Sequence, residues 1–256
     1  SGYLLASAAY LGFVFLLVAA RNNTIQGRVV LFASVITFLC AAASVAQIHY
    51  HLDLRLVLAL EAFKIAAWAL LIHSAKDKTE KFRNLLTQAH VRQYFIIWSV
   101  LITISWSLTF YLEGSYKYLF LLYLVLNLWL LVLLEQLFRN ASAQVRWALW
   151  PLIIAIGGIA AFDFVLYAQA VMVAKLDFDF WYSRGFIAMM MMPLLLVSTR
   201  RMKDWSVNVF ISRNVVFYSS MLLISGLYLL IMAFAGYIIN YLGGQWGELV
   251  SVAFWA

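Results

Sequence analysis

The feature that most limits the fold of this chain is the recurrence of apolar runs of about 18 residues or more, each long enough to cross a bilayer. An α-helix rises about 1.5 Å per residue, so about 20 residues cross a hydrocarbon core of about 30 Å. Only 11% of the 256 residues are charged and 66% are hydrophobic, whereas about 25% of the residues in a soluble domain are charged. Backbone polar groups in lipid must be satisfied within the chain, which favours helices. The sequence therefore predicts an all-α, polytopic transmembrane helical bundle.

Eight apolar runs are long enough to be complete spans, and a ninth begins near the C-terminal end. They cover residues 2–20, 29–48, 54–74, 94–112, 117–138, 148–171, 183–200 and 214–240, and the ninth begins at 248. The stretch 248–256 would reach only about 14 Å as a helix. We therefore predict eight complete spans plus a partial ninth, forming a single transmembrane domain over residues 1–256. We also expect a longer protein whose cytoplasmic output domain is absent from this sequence.

The basic residues are distributed unevenly between the two sets of connections. The connections 21–28, 75–93, 139–147 and 200–213 carry 13 of the 18 Lys and Arg residues, and the alternate connections carry 4. An excess of Lys and Arg marks cytoplasmic loops, so the N-terminus is predicted to lie outside. Anionic lipid at these loops, rather than nucleic acid, accounts for the net charge of +7. The residues taken as markers of topology and interface are Glu135, Arg139, Arg184, Arg200, Arg201 and Arg213.

Several polar side chains fall inside predicted spans. Glu61 and Lys64 are three residues apart on the third span, so they share one helix face. Asp163 lies on the sixth span, and Tyr167 follows it at four residues. Counted from the predicted outer ends of the helices, Glu61, Asp163 and Lys64 lie roughly 10, 12 and 15 Å deep. If the two spans are neighbours, these four residues form either a pocket that binds a ligand or a buried ion network that fixes helix register.

Catalytic and metal-binding signatures are absent from the sequence. Cys40 is the only cysteine, so neither an internal disulfide nor a cysteine-based metal site is possible. His49, His51 and Asp53 lie close together without an evident fourth ligand, and solvated interface residues are the favoured interpretation. Glu135 and Arg139, four residues apart, are expected to form a helix-end ion pair. We predict no catalytic residues, no metal and no cofactor.

Several motifs in the second half of the chain have a specific character. They are 134–140 (LEQLFRN), Phe162-Asp163 with Tyr167-Ala168, 181–185 (WYSRG), Pro193 with Arg200-Arg201, 205–217, 226–237 and 243–247 (GGQWG). Together they resemble the N-terminal membrane region of the PrsK-type sensor histidine kinases, which are associated with the exosortase/PEP-CTERM protein-sorting system of Gram-negative bacteria. The resemblance is clearest over 116–247 and weaker over 1–115, where it depends on hydropathy and the order of the spans.

The resemblance implies a sensory domain in the bacterial inner membrane, working as a homodimer. It would supply signal input to a two-component histidine kinase that regulates exopolysaccharide and PEP-CTERM genes. A response regulator would be a partner only through a kinase domain, which these 256 residues do not contain. Two alternatives stay open. A small-molecule transporter predicts a polar path through both halves of the membrane, and a structural subunit of a larger membrane complex predicts apolar contacts with other chains and no closed pocket.

Overall fold

The computed structural model describes residues 2–19, 25–76, 89–111, 116–141 and 143–201, and this part of the chain contains seven α-helices and no strands. The all-α prediction is confirmed for these residues, and each of the first seven predicted spans coincides with one helix. The helices are α1 (Gly2–Ala19), α2 (Ile25–Tyr50), α3 (Leu54–Lys76), α4 (Ala89–Tyr111), α5 (Tyr116–Asn140), α6 (Ala143–Val173) and α7 (Phe178–Arg201).

Six of the seven helices are long and apolar enough to cross a membrane, which indicates a multi-pass membrane protein. The exception is α4, which carries a shorter apolar stretch, Val91–Ile104. The predicted eighth span at 214–240, the partial ninth from 248 and the topology marker Arg213 lie outside the described residues.

The six long apolar helices form a closed ring in the described part of the chain. Going around it, α1 packs against α2, α2 against α3, α3 against α5, α5 against α6, α6 against α7, and α7 returns to α1. α4 lies outside the ring against α5 and α3. Large side chains fill the centre from several helices, including Tyr10, Tyr123 and Tyr167, none of which is exposed. The interior of the ring is therefore the place where polar groups would be shielded from lipid.

Two aspartates define where α3 and α7 begin. The Asp53 carboxylate accepts a hydrogen bond from the backbone N–H of Arg55 at 2.9 Å. The Asp177 carboxylate accepts from the N–H groups of Asp179 and Phe180 at 2.9 and 3.3 Å. These are N-cap contacts, which satisfy amides that have no partner within the helix. The cap at Asp177 explains why α7 begins at residue 178, before the predicted start of the span at 183.

The two prolines lie inside helices, Pro151 in α6 and Pro193 in α7. A proline has no N–H to donate to the carbonyl four residues earlier, which for Pro151 is that of Trp147. Arg201, at the end of α7, donates from Nη1 to this carbonyl at 3.3 Å, and its guanidinium carbon lies 4.0 Å from the centre of the Trp147 ring. Arg201 thereby joins the last turn of α7 to the first turns of α6.

The contact between α1 and α7 brings two backbones together. A Cβ placed on Gly185 would lie 2.3 Å from the backbone nitrogen of Tyr3 and 2.4 Å from the carbonyl carbon of Gly2. Only a glycine allows this approach without a displacement of the backbone. The Tyr3 hydroxyl also donates to the carbonyl of Trp181 on α7 at 2.7 Å. Position 185 and its neighbours thus fix α7 against α1.

Candidate functional site

Four ionisable side chains meet inside the helix ring, and we refer to Glu61, Lys64, Asp163 and Arg184 as the charge network. They come from α3, α6 and α7, and their exposed fractions are 2%, 8%, 2% and 5%. A charged group inside a membrane protein is stable only when it is paired or hydrated. The geometry of the pairs therefore decides what the site can do.

Lys64 links the two carboxylates. Its Nζ lies 2.6 Å from Oε2 of Glu61 on the same helix and 3.2 Å from Oδ2 of Asp163 on α6. The first pair is a contact between neighbours on one helix face. The second pair joins helices that are not adjacent in the ring, so the long lysine side chain crosses its interior.

Arg184 binds the same two carboxylates from the other side. Its Nε and Nη2 lie 2.7 and 2.9 Å from the two oxygens of Asp163, a bidentate arrangement. Nη2 also lies 2.8 Å from Oε2 of Glu61. One arginine on α7 is therefore held at once by α3 and α6.

The charges of the network cancel. Two carboxylates face two cations, and each cation contacts both carboxylates. The second oxygen of Glu61 accepts from the buried thiol of Cys40 on α2 at 2.9 Å. Because the interior has a low dielectric constant, removing a single member leaves an uncompensated charge whose burial is expensive. The network thus behaves as a unit and links α2, α3, α6 and α7.

Aromatic rings surround Arg184. Its guanidinium carbon lies 4.5 Å from the centre of the Trp181 ring and 5.9 Å from that of Tyr167. The Tyr167 ring in turn stacks on Tyr123 of α5, with centroids 5.3 Å apart, and the Tyr123 hydroxyl donates to the carbonyl of Leu58 on α3. Cation–π contacts with these rings favour the charged arginine at this place.

Two small cavities border the network. One of about 30 Å³ lies on the side of Tyr10 and Arg184, and one of about 40 Å³ on the side of Trp68 and Asn127. Thr37, Lys64 and Asp163 line both. Each has room for a water molecule, whereas pockets for organic ligands measure about 300–1,000 Å³. In this conformation the network can accommodate water but not an organic ligand.

The structure brings together the residues that the sequence analysis grouped and adds one that it placed elsewhere. Glu61, Lys64 and Asp163 are in contact, and Tyr167 joins them through its ring against Arg184. Arg184, which the sequence analysis took as an interface and topology marker, lies buried on α7 and is paired with Glu61 and Asp163. The Asp177 cap starts α7 early enough to place Arg184 roughly 9 Å along the helix.

A sequence signal for Arg184 did exist. Glu61, Lys64 and Asp163 alone leave one negative charge unbalanced, so a second cation at similar depth was required. Asp177 is the kind of residue that caps a helix, and it stands seven positions before Arg184. Cys40, Tyr3 and Tyr10 were missed for another reason, since nothing in an apolar helix indicates which of its faces meets a charge.

The remaining predicted residues lie at helix ends. The Glu135 carboxylate is 2.6 Å from Nε of Arg139, with both side chains only partly buried, as a helix-end ion pair. Arg200 and Arg201 occupy the last turn of α7 and are exposed. Both features lie far along their helices from the charge network and do not contribute to it.

Comparison of the chain with protein families, with curated proteins and with solved structures finds no match.

Proposed function

We propose that this chain is the membrane-embedded signal-input domain of a two-component sensor histidine kinase, in which the charge network holds α7 in one of two positions. The observation that carries the proposal is the environment of Arg184. A single side chain on α7 is bound by carboxylates from α3 and α6 in the centre of the ring. The position of α7 is thereby tied to two other helices at one point.

Such a network favours discrete positions of the helix over a continuous range. A shift of α7 by one helical turn, about 5.4 Å, would separate Arg184 from both carboxylates. Intermediate shifts would leave buried charges without partners, so they are disfavoured. A stimulus shifts the balance only if it interacts differently with the two positions.

The rest of α7 is suited to passing on such a shift. Pro193 lies between Arg184 and the end of the helix, and a proline inside a helix is a place where it bends. At the far end, Arg201 holds α7 to the Trp147 carbonyl. Release at Arg184 would therefore change the angle of the last turns of α7 rather than detach the helix.

The resemblance to PrsK-type kinases supports the remaining elements of the proposal. They are a homodimer in the bacterial inner membrane, the N-terminus outside, a kinase output domain, a response regulator that receives the phosphoryl group, and control of exopolysaccharide and PEP-CTERM genes. The small size of the two cavities beside the network counts against transport of an organic solute through it.

The test uses the full-length native protein in membrane vesicles, with autophosphorylation as the signalling readout. Asp163→Asn and Lys64→Met are measured separately, with thermal unfolding as the folding readout. Glu135→Gln is the matched control, because it removes a carboxylate from an ion pair outside the network.

We expect both network variants to change the level of autophosphorylation by more than about tenfold while a folded population persists. The control should retain the native level. A tenfold change corresponds to a shift of about 1.4 kcal/mol in the free-energy difference between the two positions of α7. Native signalling in both folded network variants would assign the network a structural role only. Absence of autophosphorylation in the native protein would remove the kinase assignment.

A further inference from the structure

We infer that a third cavity, at one end of the helix ring, binds an anionic phospholipid of the surrounding bilayer. This rim pocket measures about 520 Å³ and is lined by Leu54, Tyr116, Phe120, Ala174, Lys175, Leu176 and Phe178. The size lies within the range of about 300–1,000 Å³ found for ligand pockets. It is therefore far larger than the cavities beside the charge network.

The location of the rim pocket identifies the kind of ligand. Its residues belong to the starts of α3, α5 and α7 and to the connection from α6 to α7. Helix ends and connections of membrane-spanning helices lie at the boundary between hydrocarbon and headgroups. A ligand in the pocket would contact apolar side chains on its bilayer side and the polar headgroup region on the other, which matches a lipid.

The charges around the rim pocket favour a negative headgroup. Lys175 lines the pocket, and the guanidinium of Arg55 lies against its wall, with Nε donating to the Tyr116 hydroxyl at 3.0 Å. Two carboxylates near the pocket act as helix caps: Asp53 accepts from the backbone N–H of Arg55, and Asp177 caps α7 and accepts from Gln169 at 3.1 Å. A phosphate would pair with Lys175 and Arg55, and aromatic and aliphatic walls would contact the acyl chains.

The wall of the rim pocket also leads to the charge network. The Phe120 ring lies 6.4 Å from that of Tyr167, whose ring is 5.9 Å from the guanidinium carbon of Arg184. Lipid in the pocket would therefore press on side chains that pack directly under the network. This second step rests on the proposed function, whereas binding of the lipid does not.

Lipid binding is tested by native mass spectrometry of the purified protein in neutral detergent, titrated with phosphatidylglycerol or with phosphatidylcholine. We expect one saturable phosphatidylglycerol site that Lys175→Gln weakens about fivefold, since one basic residue near an anionic headgroup contributes about 1 kcal/mol. Lys117→Gln is the matched control. It removes the same charge from the neighbouring helix start, where the lysine lies over the Tyr118 ring at 5.0 Å and does not line the pocket.

Three results would overturn the inference. Equal weakening by both lysine variants would assign the binding to diffuse surface charge, and equal affinity for the two lipids would remove the headgroup preference. Displacement of the lipid by inorganic phosphate alone would assign the site to a free anion.

Leu54→Trp, which fills the rim pocket, should lower binding of the lipid in a protein with native thermal unfolding. None of these outcomes depends on kinase activity, so failure here and failure of the proposed function are distinguishable.

Discussion

Asp163→Asn is the change that most directly separates a cooperative charge network from a set of independent contacts. The Asp163 carboxylate receives Nε and Nη2 of Arg184 at 2.7 and 2.9 Å and Nζ of Lys64 at 3.2 Å. Asparagine keeps the shape of the side chain but removes its charge. The network is then left with one uncompensated positive charge in the centre of the ring.

The size of the effect follows from the burial of these groups. Removing one partner of a buried ion pair is destabilising by about 3–5 kcal/mol, because the other charge stays buried without compensation. Lys64→Met should be destabilising by a similar amount, since it leaves one excess negative charge. Combining the two changes restores neutrality and keeps the Glu61–Arg184 pair at 2.8 Å. The double variant should therefore be more stable than the sum of the two single effects implies, by about 2–3 kcal/mol.

The free energies of unfolding can be measured by titration of the protein in mixed micelles with sodium dodecyl sulfate. Arg139→Gln is the control, because its ion pair with Glu135 is only partly buried, and we expect a loss of at most about 1 kcal/mol. If the effects of Asp163→Asn and Lys64→Met add within about 0.5 kcal/mol, the two residues do not interact and the network reasoning is refuted.

Two further predictions concern the packing that surrounds the network. Gly185→Ala should destabilise the protein by more than about 2 kcal/mol, because the added methyl group would displace backbone atoms of α1. Gly12→Ala should be tolerated, because nothing lies within 4 Å of the position that its Cβ would take. Equal thermal unfolding of the two variants would contradict this prediction. Tyr123→Phe removes the hydrogen bond to the Leu58 carbonyl and should lower the free energy of unfolding by about 0.6–1.7 kcal/mol in the same titration, and a more stable variant would show that the hydroxyl is not bonded there.

Much of the fold follows from the sequence because the bilayer imposes a length on each apolar run. The seven described helices follow the predicted order, and six of them are apolar runs long enough to cross a bilayer, which have few alternatives in lipid. The predicted span at 94–112 is the exception, because the apolar stretch of α4 covers only Val91–Ile104. The first residue of each helix was harder to predict from the sequence. Asp177 extends α7 toward its N-terminus by a cap, and a cap depends on side-chain geometry that hydropathy does not register.

The candidate site was predictable in part. Counting residues along the predicted spans gave Glu61, Lys64 and Asp163 similar depths, but the order of helices in the ring could not be derived from hydropathy. α3 and α6 are not neighbours in the ring, and Lys64 of α3 reaches across its interior to Asp163 of α6. The central role of Arg184 was hidden because its helix was predicted to begin one residue before it. The side of the membrane on which each end lies stays a prediction from the distribution of basic residues.

The central claim is that the charge network holds α7 in one of two positions, and a distance between α3 and α7 tests it most directly. Spin labels can be attached at Phe63→Cys and Met190→Cys, because the native side chains at these positions are 62% and 69% exposed. Cys40→Ser removes the native thiol and supplies a hydroxyl donor to Glu61 in its place. Pulsed electron paramagnetic resonance in lipid nanodiscs then gives the distance distribution. We predict one main distance in the otherwise native protein and a second in Asp163→Asn, displaced by up to about one helical turn, 5.4 Å. An unchanged distribution in a folded Asp163→Asn protein would contradict the claim.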